Sequence, residues 1–147
     1  MYKPIDKYLV YFSLAVMIGN VAWAEAVQDE KFARAECSEF SQASMRDCLD
    51  KKANKSAMEL GKTEEKALKQ LSKWDAEPKY IALSKSKFEA SHKEFIRYRK
   101  AHCDFNASLG GSAIGNALKM RRLACEVELN ARRALQINSS ITTLAKQ

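Results

Sequence analysis

Glycine and proline are scarce in this chain, at five and two of 147 residues. That excludes collagen-like and proline-rich architectures, and it fits poorly with a sheet fold that needs many tight turns. There are two histidines, ten positions apart at His92 and His102, which a helix would send to different faces. The close ligand pairs that zinc requires, C-x-x-C or H-x-x-x-H, are missing. So are H-E-x-x-H, a glycine-rich phosphate loop behind a strand, and a plausible Ser-His-Asp context. Glu64 and Glu65 are neighbours and would diverge on a helix. No metal, no cofactor and no catalytic residue is therefore expected, and the protein is read as a binder rather than an enzyme.

Apolar runs are also short. The longest, Tyr8 to Ala22, has Asn20 within it and spans roughly 22 Å as a helix, against a hydrocarbon core of ~30 Å. Lys3 and Lys7 precede it, and Ala22-Trp23-Ala24 supplies a small-x-small site before Glu25. This is the pattern of a secretory signal peptide. Residues 1–24 are expected to be a cleaved leader and 25–147 the mature domain, periplasmic or secreted. Cleavage after Ala24 removes two lysines and one aspartate, so the mature chain stays basic.

What is present is positive charge, helical periodicity and four cysteines. Lys plus Arg number 25 against 18 Asp plus Glu, a formal charge of +7. An exported chain with Cys37, Cys48, Cys103 and Cys125 is expected to carry two disulfides. Four cysteines allow three connectivities, and spacing alone does not choose among them. Neighbour pairing, Cys37–Cys48 with Cys103–Cys125, is favoured here. Its rival is Cys48–Cys103, level across an antiparallel hairpin turning near residue 76.

Three long helices are expected. In the first, about 41–74, Met45, Leu49, Ala53, Ser56, Leu60, Ala67, Leu71 and Trp74 recur at steps of three and four. Asp47 with Lys51 and Glu65 with Lys69 should pair on its wet side. Pro78 opens the second, to about Phe105, with Ile81, Ser84, Phe88, Phe95, Tyr98, His102 and Phe105 inward. Asn106 to Gly115 holds three of the five glycines and reads as a loop. The third helix is expected over about 117–137, with Leu118, Cys125, Leu129 and Leu135 inward and Asn138-Ser139-Ser140 fraying its end. Residues 25–40 read as a short helix or an irregular lead-in. The fold class is all-α, an antiparallel three-helix bundle with two disulfides.

Phe95-Ile96-Arg97-Tyr98-Arg99-Lys100-Ala101-His102-Cys103 is the most distinctive string. Together with Gly110-Gly111-Ser112 and the run from Cys125 through Arg133 to Leu135, it resembles the lysozyme inhibitor LprI family, N-terminal domain. Cys37, Met45 and Cys48-Leu49 resemble the family's opening segment. The resemblance spans roughly residues 36–137, with Phe95 where tryptophan is common and Asn130 where threonine is usual. It implies a helical, disulfide-linked fold and a protein partner, such as a cell-wall hydrolase that it inhibits. Phe95, Tyr98, Arg99 and Arg133 then read as structural motif residues, Tyr98 packed between helices and Arg99 paired with an acid such as Glu128.

Gly110, Gly111 and Ser112 are the candidate partner-binding loop, small enough to enter a cleft and equally able to serve as a connector. The basic clusters read first as wet helix faces, then as contacts for anionic lipid, polymer or an acidic partner. No element that reads nucleic acid is visible, so none is expected as a partner. Two further roles fit the same features. One is an immunity protein against a periplasmic toxin; the other is an envelope adaptor with peripheral contact to anionic surfaces.

Overall fold

A computed structural model describes residues 29–39, 41–113 and 115–144. The leader expected at 1–24 lies outside the described residues. Four helices and no strands are found within them: α1 (Glu30–Glu36), α2 (Gln42–Leu71), α3 (Pro78–Ser108) and α4 (Asn116–Leu144). None of these helices is long and apolar enough to cross a membrane. The expected three-helix count is thus corrected to four, because the lead-in closes into a helix of its own. Asp29 caps α1 by accepting the Phe32 N–H at 2.6 Å.

Each long helix starts and stops for local reasons. Ser41 caps α2 through the Ser44 N–H. Pro78 occupies the first turn of α3, where its missing N–H costs nothing. Helix α4 runs past Asn138-Ser139-Ser140, where an end was expected. The Ser140, Thr142 and Thr143 hydroxyls donate to carbonyls one turn back. Ile141 is buried and Leu144 half-buried against Leu60, Ala67, Leu71 and Ile137. Packing of these apolar side chains outweighs the weak helix preference of the polar ones.

The core forms mainly between α2 and α4. Its apolar positions in α2 are those of the expected stripe, with Leu49, Ala53, Leu60, Ala67 and Leu71 buried. In α4 the inward line is Met120, Leu123, Ala124, Val127, Asn130, Ile137 and Ile141. Cys125 is buried as expected, but Leu118, Leu129 and Leu135 are only half-buried at the edges of that line. The inward face differs from the expected one because leucines lie on both sides of α4, so periodicity alone leaves the centre of the stripe open.

Cross-links fix the directions. Arg46 reaches Asn116 and Ser56 reaches Asn130, so α2 and α4 advance together. Ser91 meets Arg133, Arg99 meets Asn130 and Asp104 meets Arg122, in reverse order. Helix α3 therefore runs opposite to the other two. It is the most exposed long helix, with only Cys103 and Ala107 buried. Tyr98 and Phe105, both expected inward, are 53% and 59% exposed.

Helix α1 packs its buried Ala33 into the core formed by Leu49, Ala53, Leu123 and Val127. The Glu30 N–H donates to Glu128 at 3.0 Å, and Asn106 donates to the Glu30 carboxylate at 2.6 Å. Lys52 pairs with Glu36 on the other side. Neither Asp47–Lys51 nor Glu65–Lys69 forms an ion pair; Asp47 is held by its neighbour Arg46 at 2.8 Å instead.

Candidate functional site

The four cysteines are bonded as Cys37–Cys48 and Cys103–Cys125. The first clips α1 to the start of α2. The second joins the last turns of α3 to α4 directly behind the glycine loop. Their Cα separations, 5.9 and 5.6 Å, lie within the usual range for a disulfide.

The loop between α3 and α4 owes its shape to three glycines. Gly111 and Gly115 have φ of 61° and 65°, a left-handed conformation that costs a side-chain-bearing residue about 1–2 kcal/mol. Gly110 serves close packing, since a Cβ there would sit 2.7 Å from Leu118 Cδ2 and 3.1 Å from the Ala107 carbonyl oxygen. Backbone bonds from Gly110 to Ala107, Gly111 to Ser108 and Ala113 to Gly110 tighten the turn. Gly111 and Ser112 project into solvent. The loop is therefore a tightly bonded tip held on a disulfide-linked base. Around that base stand Arg46, bonded to Asn116, and Arg121, whose aliphatic stem lies against Gly110.

The motif residues of α3 and α4 do something else. Asn130, 1% exposed, accepts from Arg99 Nη1 and donates to Ser56 Oγ at 3.0 Å. Ser56 in turn donates to the Ala53 carbonyl at 2.8 Å. One buried amide thus ties α2, α3 and α4 together. Arg99 and Arg133 both pack on the Phe95 ring, at 5.7 and 5.6 Å from its centroid. Arg133 Nη2 also donates to Ser91 at 2.7 Å, while its Nε is buried without a hydrogen-bond acceptor. Phe95, Arg99 and Arg133 lie together; Tyr98 does not join them.

Arg99 was expected to pair with an acid such as Glu128. It meets Asn130 instead, because Glu128 is occupied by the Glu30 N–H and by Arg132. In the sequence Asn130 stands out only as a departure from the family's usual threonine. A lone asparagine on an otherwise apolar helix line was the signal available. Nor did sequence show Tyr98 turned outward, its ring against His102 with centroids 5.3 Å apart.

Two carboxylates nearby are shifted. Hydrogen bonding to Lys100, with Arg122 adding attraction, holds Asp104 below the usual aspartate range. Glu126 is pushed up by its partial burial, against the pull of Arg99 and Arg122. On the first turns of α2, a groove of about 540 Å³ is lined by Ser44, Asp47, Cys48, Lys51 and Lys52. Among the described residues no cluster of three or more His, Cys, Asp or Glu is placed to hold a metal ion.

The site is thus a presented surface: an exposed turn, cations at its base, and a helix face beside it. Comparison with curated proteins and with solved structures finds no match. The family model described as lysozyme inhibitor LprI, in contrast, matches residues 31–137, taking in both disulfides, the buried amide and the loop. The chain belongs to the lysozyme inhibitor LprI family.

Proposed function

We propose that this protein is exported, loses residues 1–24, and inhibits a cell-wall hydrolase of the lysozyme type by binding it. The supporting observation is the loop at Gly110–Ser112, an exposed tip whose conformation is already set by Gly111, Gly115 and the Cys103–Cys125 bridge. A contact whose shape exists before binding loses little conformational entropy on association. Arg121 at the base is suited to the pair of carboxylates that a lysozyme-type cleft carries. Family membership supplies the class of partner.

Purified mature, oxidised protein should slow lysozyme turnover of a peptidoglycan suspension, with full inhibition at one-to-one stoichiometry. Unchanged turnover at saturating protein across a panel of lysozymes would remove the reading. The panel also addresses the immunity alternative: a toxin neutralised in the periplasm would leave every lysozyme untouched.

A further inference from the structure

Helix α3 carries an apolar stripe that the bundle does not use. Tyr98, Phe105 and Leu109 are 53%, 59% and 61% exposed, with His102 between the first two. These positions are spaced four, three and four apart, and Leu109, which caps α3 in a helical conformation, continues the line, so they share one side. The stripe ends where the loop begins, since Leu109 directly precedes Gly110. Its backing is firm. Cys103 is bonded to Cys125, Ala107 is buried, and Asn106 is tied to Glu30. The Tyr98 ring is braced by His102.

At the same end lies Arg121, its stem against Gly110, which enters no ion pair among the described residues. Arg122 beside it is held by Asp104 at 2.8 Å. The surface thus combines three apolar anchors, a projecting turn and uncompensated positive charge.

We infer that Tyr98, Phe105 and Leu109 extend the loop into one continuous contact surface, which takes an enzyme whose acidic cleft is bordered by an apolar rim. This rests on the inhibitory reading of the loop and assigns its main anchors to α3. Charge selects the occupant: Arg121 at the loop base complements a carboxylate-bearing cleft. A second copy of the chain would bring the same uncompensated cation and the same net positive charge against itself. Aromatic side chains on a rigid helix are the kind of group that dominates binding energy.

The inference is tested by inhibition assays on purified lysozymes with Phe105→Ala, Leu109→Ala and, as a control, Met58→Ala on the solvent face of α2. Phe105→Ala and Leu109→Ala should each weaken inhibition about tenfold or more. Their thermal midpoints should stay within ~2 °C of the parent, because exposed side chains add little to stability. Met58→Ala should inhibit like the parent. If the parent inhibits and both α3 variants match it, the loop suffices and the stripe is not part of the contact. A parent that inhibits no lysozyme removes the functional reading and this inference with it. Sedimentation gives the third outcome: a parental dimer that Phe105→Ala dissolves would assign the stripe to a second copy and overturn the proposal.

Discussion

At the scale of single residues, Asn130 joins three helices through one buried amide. Its amide is the only buried side chain among the described residues that bonds two other helices, through Arg99 and Ser56. Replacing it with alanine leaves a guanidinium and a hydroxyl without their partner and opens a small void. A loss of about 1–3 kcal/mol follows, measurable by urea unfolding. An Asn130→Ala variant with parental stability would show that water satisfies both groups.

Glu126 makes a prediction of opposite sign. Its folded pKa is raised by burial, so the protonated form suits the native state. That contribution is complete below the ordinary glutamate value and is lost as pH rises through the folded value. Glu126→Gln should therefore unfold at higher urea than the parent at pH 7 and at the same urea below pH 4. Equal differences at both pH values would rule this out. Asp104 works the other way: its lowered pKa gives support present above the usual aspartate range and lost as acid protonates it. Its exposure keeps that support small.

Among the elements, α1 is the one that depends on a covalent bond. Seven residues are too few to hold a helix alone. Ala33 provides its one buried side chain, and Cys37–Cys48 supplies the clip. Replacing both cysteines with alanine should cost about 3 kcal/mol by the loop-entropy argument. Hydrogen exchange should localise the effect, with α1 amides becoming unprotected while α2 and α4 keep their protection. Uniform loss of protection along the chain would mean that α1 is integral to the core rather than strapped onto it.

Sequence showed three of the four helices, and for α2 it showed the inward face as well. The reason is that α2 separates apolar from charged residues cleanly along its length. Helix α3 does not: Phe95 and Phe88 half-bury while Tyr98 and Phe105 turn outward, though all four are aromatic and regularly spaced. A helix flanked on one side only has fewer inward positions than its apolar residues would fill. The surplus is visible only once the neighbours are placed.

For the whole molecule, the positive charge, +7 over the full sequence and +6 (23 minus 17) over residues 25–147, constrains how it meets a partner. Lysozymes are generally basic, so the net charges repel at long range, and only the local contact of cationic loop base with acidic cleft attracts. Salt screens the long-range repulsion over roughly 8–10 Å while affecting a desolvated contact less. The association rate with a basic lysozyme should therefore rise, or hold steady, between 10 and 150 mM salt. Stopped-flow measurement of that rate checks it. A steep fall with salt would mean net long-range attraction between the two proteins and would overturn this expectation.

Composition and periodicity determined the helical class, because few glycines, few prolines and three- and four-residue apolar steps leave little else. Cysteine number limited the cross-links to three connectivities, of which neighbour pairing was favoured and is the one found. What required the tertiary structure was every decision resting on the relative placement of helices. It was needed to see that Asn130, rather than an acid, receives Arg99, that α1 closes over the core, and that a line of aromatics on α3 stays uncovered. A helical pattern specifies angles around one axis; which of those angles meets protein and which meets water is set by the neighbouring helices.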